Sequence, residues 1–254
     1  MLIYIEAVIV LMLGMVLGSF STALIHRIPK KMSWGAVRSQ CPSCKTSLNA
    51  FDLVPVFSWL FARGKCRHCS VKISAQYPLI ELISAFACLC AYFVYGLSTE
   101  AFFVFAAVPV LVSLFVIDCK YMILPNILVF ILLCLGIVRL FYFSLNDVFH
   151  QAQDLFPYIG GAFIYAGLSW LLGAVLTKVL KKESLGFGDV KFFAASGIWL
   201  GLSALPNFMI FSGLSAIIIA IIWRIVFKKQ KFPFGPALIL TFYGILLFQG
   251  SFLS

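Results

Sequence analysis

The run AFFVFAAVPVLVSLFVID, residues 101–118, decides the fold of this chain. It contains no charged residue before Asp118, and its apolar part approaches the ~20 helical residues that cross the hydrocarbon core of a bilayer. Similar apolar runs lie on both sides of it, and we expect each run to form a transmembrane helix. The eight predicted spans are residues 2–25, 78–95, 101–117, 123–143, 156–178, 192–205, 208–227 and 236–253.

The composition supports this interpretation. Hydrophobic residues make up 63% of the chain and charged residues 11%, whereas soluble domains contain ~45–50% and ~25%. The interior of a soluble protein of this size cannot hold so much apolar surface, so lipid must cover much of it. Residues 2–25 have no basic residue before the apolar run and no small-residue cleavage pattern, which indicates a retained first span. The run 192–205 is short and rich in Ala and Gly. We therefore expect this helix to be tilted, to pack inside the bundle, or to begin and end several residues away from these limits.

The distribution of basic residues predicts the orientation. The formal net charge is +10, but the lysines and arginines lie in residues 26–77 and at the ends of apolar runs. If the N-terminus is outside and residues 26–77 are cytoplasmic, every lysine and arginine except Arg139 falls on the cytoplasmic side. Basic loops orient membrane proteins in this way, so the charge requires no nucleic-acid partner.

Four cysteines in the polar segment predict a metal site. Cys41-Pro-Ser-Cys44 and Cys66-Arg-His-Cys69 form two Cys-x-x-Cys knuckles, a spacing typical of zinc ribbons. A segment this small has too little core to fold firmly alone, so a structural zinc is physically reasonable. Two disulfides or free thiols are the alternatives, and a reducing cytoplasm disfavours the disulfides.

Two aspartates at span boundaries are candidates for chemistry. Asp118 ends one apolar run, and Asp189 lies in Gly186-Phe-Gly188-Asp189 at the start of another. The predicted topology places both on the cytoplasmic side. Two adjacent carboxylates share a proton, so one can polarise a peptide carbonyl while the other takes a proton from water, as in aspartyl proteases. The alternative is that each aspartate caps a helix or pairs with Lys120 or Lys191.

An ordered set of motifs connects the chain to a known family. They are Gly18-Ser-Phe, His26-Arg27-Ile-Pro29, the cysteine knuckles, Pro55-Val-Phe-Ser58-Trp, Arg63-Gly64-Lys65-Cys66, Ile73-Ser74-Ala-Gln-Tyr77-Pro78-Leu-Ile-Glu81, Asp118 with Leu124-Pro125, Gly186-Phe-Gly188-Asp189-Val-Lys191, and Phe232-Pro-Phe-Gly235-Pro236-Ala. Over nearly its whole length the chain resembles the type IV prepilin peptidases, the bacterial leader peptidases of pilus, type II secretion and competence systems. A lone Gly-x-Gly-Asp would also fit presenilin-like proteases, but those usually carry Tyr-Asp where this chain has Ile117-Asp118.

The resemblance implies roles for three acidic residues. It implies that Asp118 and Asp189 are the catalytic pair. Asn126 departs from the family pattern, which often has an acidic residue after Leu-Pro. Many family members also methylate the new N-terminus with S-adenosylmethionine, which would make Glu81 a residue of that cofactor's site. The alternative for Glu81 is an ion pair with a nearby arginine or lysine at the interface.

The sequence therefore predicts an all-α polytopic membrane protein of about eight transmembrane helices. Its parts are a first helix at residues 1–25, a zinc-binding cytoplasmic insertion at 26–77 and a peptidase domain at 78–254. The resemblance implies prepilin or pseudopilin precursors as substrates, the bacterial cytoplasmic membrane as location and the cytoplasmic face as the place of cleavage. No nucleic-acid partner is expected.

Two other functions are compatible with the residues. A transporter or channel could use intramembrane acids to relay protons or cations, but it would not explain why the acids lie at one face beside a four-cysteine segment. A membrane anchor with a partner-binding zinc module would leave Asp118 and Asp189 structural.

Overall fold

The computed structural model describes residues 2–33, 38–146, 152–181, 185–228 and 231–250. Of the basic residues behind the orientation prediction, Lys182 and Lys229 lie outside these ranges. Within them the chain is helical and has no β-strand, only two isolated bridges. The α-helices are α1 (Leu2–Arg27), α2 (Phe57–Phe61), α3 (Gln76–Tyr95), α4 (Thr99–Tyr121), α5 (Asn126–Leu145), α6 (Ala152–Leu180), α7 (Phe187–Leu200), α8 (Leu205–Phe227) and α9 (Gly235–Gly250).

Each predicted span corresponds to a helix, which confirms the all-α polytopic fold. Among the described residues, six helices are long and apolar enough to cross a bilayer, namely α1, α3, α4, α5, α6 and α8. The helices α7 and α9 are apolar but shorter, with 14 and 16 residues. The count of eight therefore holds for apolar helices, and six of them have the length of a full span.

The predicted bounds of the span 192–205 were wrong. The helix α7 begins at Phe187 and ends at Leu200. Gly186 precedes it in an extended conformation, and an acidic residue in the first turn favours a helix N-terminus. Gly201 ends it with a φ of 71°, which glycine adopts without strain. Asp189 and Lys191 are consequently helical residues, and Asp189 lies in the first turn of α7.

The chain divides into two compact units, residues 1–113 and 114–254. In the first unit, α1 packs closely along α3. A Cβ atom on Gly14 would lie 2.6 Å from Ala85 Cα, and one on Gly18 would lie 2.6 Å from Glu81 Cα. Only glycine permits such an approach, and small residues four positions apart commonly bring membrane helices together. The chain between α1 and α3 forms the two cysteine knuckles, a 3₁₀ turn at Ala50–Leu53 and the short α2.

In the second unit, α7 is the inner helix. Phe192 and Trp199 on α7 are buried, and the Trp199 indole N–H donates to the Leu132 carbonyl of α5 at 2.9 Å. Arg139 of α5 donates to the Trp199 carbonyl at the end of α7, at 3.3 Å. By contrast, α8 exposes a series of isoleucines that suits a lipid-facing surface. Because α7 is surrounded by α5, α6 and α9, it contributes to the core without needing the length of a full span.

Candidate functional site

Asp118 lies in the second unit, between the end of α4 and the start of α9. It lies near the C-terminus of α4, where the helix dipole disfavours a negative charge. Its side chain is buried, with 4% of its surface exposed. The N–H of Gly235, the first residue of α9, donates to Asp118 Oδ2 at 2.9 Å. The positive end of α9 therefore compensates for the unfavourable end of α4.

Asp189 has a similar environment at the start of α7. The N–H of Gly186 donates to Asp189 Oδ2 at 3.1 Å, and the side chain is half-buried. Gly188, the residue before Asp189, and Gly235, which binds Asp118, both pack against Leu124. Each of these bonds uses one oxygen, whereas a carboxylate can accept about four hydrogen bonds. The structure thus brings the two predicted residues into one region with capacity for further donors.

Leu124 shows that the separate motifs meet at this region. A Cβ atom on Gly188 would lie 3.2 Å from Leu124 Cβ, and one on Gly235 would lie 3.0 Å from Leu124 Cδ2. Leu124 is itself buried. The Leu-Pro motif after α4, the glycine motif before α7 and the glycine at the start of α9 therefore pack around one side chain.

The proposed pairing of Asp189 with Lys191 is not the contact that forms. Lys191 Nζ donates to Asn126 Oδ1 at 2.9 Å and lies 4.8 Å from the centre of the Phe187 ring. Asn126, the position that departs from the family pattern, is thus the partner of this lysine. Asp189 does make a helix-capping bond through Gly186, so capping is part of what this side chain does.

Cys41, Cys44, Cys66 and Cys69 come together in the first unit and could hold a metal ion. Their sulfur atoms all lie within 4.8 Å of one another, and the Sγ atoms of Cys41 and Cys69 are 3.8 Å apart. Four thiolates around zinc at about 2.3 Å would have tetrahedral edges of about 3.8 Å, so the arrangement fits such an ion. Hydrogen bonds with Thr46 lower the pKa of Cys44 to about 6, whereas burial and hydrogen bonds with the other three cysteines raise the pKa of Cys69 to about 11.

The two knuckles have the same backbone geometry. In each, the N–H of the first cysteine donates to the carbonyl five residues later, and its own carbonyl accepts from the N–H four residues later. The donor–acceptor pairs are Cys41–Thr46 at 3.0 Å, Lys45–Cys41 at 3.0 Å, Cys66–Val71 at 2.9 Å and Ser70–Cys66 at 2.9 Å. The site is therefore built from two matching turns.

Glu81 lies in the first unit, one turn into α3, and 7% of its surface is exposed. Its Oε2 accepts the N–H of Val56 at 2.7 Å, so this partner is a backbone amide and not the arginine or lysine that was the alternative to a cofactor role. Glu81 also lines a cavity of about 630 Å³ within this unit. Other residues around the cavity include Ser19, Arg27, Asp52, Trp59 and Tyr77.

Comparisons with known proteins agree with these motifs. Residues 12–95 match the Bacterial Peptidase A24 N-terminal domain, and residues 104–221 match the Type IV leader peptidase family. The chain belongs to the type IV leader peptidase family. This membership confirms the resemblance found in the sequence.

Curated relatives of this family cover most of the chain. The prepilin leader peptidase/N-methyltransferase of Pectobacterium carotovorum is 32% identical, over 88% of this chain and 86% of that protein. The proteins of the same name from Neisseria gonorrhoeae and Vibrio cholerae are 33% and 31% identical, over 94% of this chain and 88% and 95% of their own lengths. No solved structure matches the chain.

Two contacts of this leader peptidase family member were not foreseen. The sequence placed Gly235 in a motif without a role, and it gave no sign that Val56 would bind Glu81. Both bonds join residues far apart in the chain, so local patterns could not indicate them. The catalytic roles of Asp118 and Asp189 and the cofactor role of Glu81 remain predictions.

Gly235→Ala should reduce peptide cleavage at least about 10²-fold, since small displacements of catalytic groups have effects of that size. The new Cβ atom would lie 2.7 Å from Asp118 Oδ2 and would push the carboxylate away from its amide donor. The measurement is the cleavage rate of a pilin-like precursor by purified protein. Gly244→Ala is the matched control on the same helix, because nothing lies within 4 Å of a Cβ there. Equal activity of the two variants would show that the contact between Gly235 and Asp118 does not matter.

Proposed function

We propose that this protein is a membrane aspartyl endopeptidase that removes the basic leader from type IV pilin-like precursors, with Asp118 and Asp189 as the catalytic pair. The observation that carries this proposal is that two carboxylates of the second unit, each bound by one backbone N–H, lie beside motifs that pack around the same residue, Leu124. The relatives named as prepilin leader peptidases support the substrate class.

The chemistry follows from one shared proton. The ionised aspartate accepts a proton from a water molecule as the water oxygen attacks the scissile carbonyl carbon. The protonated aspartate donates a hydrogen bond to the carbonyl oxygen and stabilises the charge that develops there. When the tetrahedral intermediate collapses, the carbon–nitrogen bond breaks and the leaving amine takes a proton from the pair. The Gly235 and Gly186 amides keep the two carboxylates in place throughout.

The proposal also includes the orientation of the chain in the membrane. The N-terminus is outside, and cleavage takes place at the cytoplasmic face of the bacterial inner membrane. The C-terminus of α4 and the N-termini of α7 and α9 meet around Leu124, and these are the ends that the basic-residue pattern assigns to the cytoplasm. A precursor with an apolar helix in the bilayer and a basic leader in the cytoplasm would present its scissile bond at this depth.

The four cysteines would hold a structural zinc ion. Thiolates from two matching turns suit zinc in geometry and ligand type. Zinc would supply fold stability to a segment with little core of its own, and the hydrolytic step needs only the two aspartates.

The second activity is methylation of the new N-terminus, for which bound S-adenosylmethionine supplies the methyl group. The relatives are named N-methyltransferases as well as peptidases. The cavity in the first unit has a volume of about 630 Å³, within the range of small-molecule sites. Trp59 and Tyr77 supply aromatic surface and Glu81 supplies a carboxylate, whereas Asp52 is paired with Arg67 at 3.4 Å and the other charged residues around the cavity are basic. Glu81 therefore remains our candidate residue of the cofactor site.

Asp118→Asn and Asp189→Asn should each lower cleavage ~10²–10⁴-fold or more without unfolding the protein, because asparagine can neither accept the water proton nor supply an acidic one. The double variant should lose little more, since the two groups act as a unit. Mass spectrometry of a precursor incubated with detergent-purified protein measures leader removal.

Glu100→Gln, in the first turn of α4, is the matched control for the aspartate variants and should stay active. Thermal unfolding in detergent checks that all variants fold. A folded Asp118→Asn or Asp189→Asn protein with normal cleavage would contradict the aspartyl-peptidase proposal.

Metal analysis of the purified protein should give about one zinc per chain. Cys41→Ser should lower the zinc content and make residues 38–75 more sensitive to proteolysis, because one of four ligands is lost. Cys134→Ser, in α5, is the control and should keep the metal. Full zinc loading in a variant with all four knuckle cysteines changed to serine would rule out this site.

Cleaved product should carry one added methyl group when S-adenosylmethionine is present and none when it is omitted. Glu81→Ala should lower the ratio of methylated to unmethylated product, since it removes a carboxylate from the cavity. The same mass spectra measure this ratio. Cleaved product that lacks a methyl group at saturating cofactor would show that the protein is a peptidase alone.

A further inference from the structure

A strained turn lies directly before α2. Val56 has φ 61° and ψ −53°, and the N–H of Phe57 donates to the Pro55 carbonyl at 2.6 Å. This is a γ-turn with positive φ at its centre, which is rare and strained. A β-branched residue is especially unfavourable there. A strained backbone persists only where surrounding contacts hold it, and it often marks a functional position.

Glu81 is the contact that holds this turn. Its Oε2 accepts the N–H of Val56, the central residue, at 2.7 Å. The Ser19 hydroxyl of α1 also hydrogen-bonds to the carboxylate. Gly18 lets α1 approach α3 closely at this point. A buried carboxylate needs hydrogen-bond donors and a buried amide needs an acceptor. The Glu81 carboxylate and the Val56 N–H therefore satisfy each other's hydrogen-bonding requirement.

The turn fixes the direction of α2 and with it one wall of the cavity. The N–H of Leu60 donates to the Val56 carbonyl at 3.0 Å, so the helix starts from the strained residue. Trp59 of α2 lines the cavity, and its indole N–H donates to the Ile73 carbonyl at 3.1 Å. Ile73 in turn donates its N–H to Gly64, next to the second cysteine knuckle. Hydrogen bonds and the short helix α2 together connect Glu81 to the cavity wall.

We propose that Glu81 is a positioning residue for methyl transfer: it clamps the Pro55–Phe57 turn and thereby fixes Trp59 in the wall of the cavity that would hold the methyl donor. This inference rests on the proposed methyl-transfer function. A positioning role differs from direct binding of the cofactor, because the Glu81 carboxylate acts through the Val56 amide. A change at Val56 can therefore compensate for loss of the carboxylate.

The decisive experiment combines changes at the two partners. Glu81→Ala removes the acceptor, and it should speed hydrogen exchange of the α2 amides ~10–100-fold and lower the methylated fraction of product by a similar factor. Glu81→Gln keeps an oxygen that accepts the Val56 N–H, so it should retain most of both properties. Val56→Gly added to Glu81→Ala should restore both by at least about tenfold, since glycine adopts positive φ without strain.

Val54→Gly in the Glu81→Ala background is the matched control. Val54 has φ −64° and ψ 114°, so glycine there relieves no strain and should restore nothing. If Glu81→Gln fails as completely as Glu81→Ala and Val56→Gly gives no recovery, the carboxylate acts directly and the positioning role is wrong. Equal recovery by Val54→Gly would also overturn it.

Hydrogen exchange separates this inference from the proposed function. If the wild-type protein never methylates its product, the methyl-transfer proposal fails, whereas the α2 amides still report whether Glu81 holds the turn. Unchanged α2 exchange in Glu81→Ala would overturn the clamp whatever the methylation result. Exchange in α5 to α9 serves as the internal check that each variant is folded.

Discussion

A carboxylate in an apolar interior needs hydrogen-bond donors, and in this protein backbone amides supply them. Asp118 receives the N–H of Gly235, Asp189 that of Gly186, and Glu81 that of Val56. An unpaired buried charge is far more costly than a hydrogen-bonded one. Backbone amides have fixed positions, so each acidic side chain is held at a defined point of the fold. Helix ends in the second unit, and a turn with the Ser19 hydroxyl in the first unit, therefore define where these acidic side chains lie.

The same constraint accounts for the glycines near the acids. Gly235 must bring its amide to Asp118 Oδ2 without a side chain in between, and Gly18 must let α1 reach the backbone of α3 at Glu81. The two units solve the problem differently. In the second unit helix N-termini provide the donors, while in the first unit a strained turn provides one. The helix N-termini of the second unit donate without backbone strain. The strained turn of the first unit, by contrast, depends on the single carboxylate of Glu81.

Much of this was accessible from the sequence. Apolar runs located the helices, the Cys-x-x-Cys pairs located the four sulfurs, and the motifs placed Asp118 and Asp189 at helix ends. The bounds of α7 were wrong because hydropathy counts Phe187–Lys191 as a polar boundary, although a glycine and an acid start the helix there. The Val56 turn could not be foreseen, since nothing in Pro-Val-Phe favours positive φ and only the distant Glu81 makes it tolerable. The bond between Gly235 and Asp118 likewise depends on tertiary packing.

The shortness of α7 has a consequence for the access of water. A 14-residue helix rises about 21 Å, well below the ~30 Å thickness of the hydrocarbon core. Because α5, α6 and α9 surround α7, its end lies within the helix bundle rather than against lipid. Charged groups at membrane depth are tolerated where they line a water-filled cavity. Asp189 lies at one end of α7, so a recess left by the short helix would hydrate this carboxylate at a depth where a continuous bilayer would be dry.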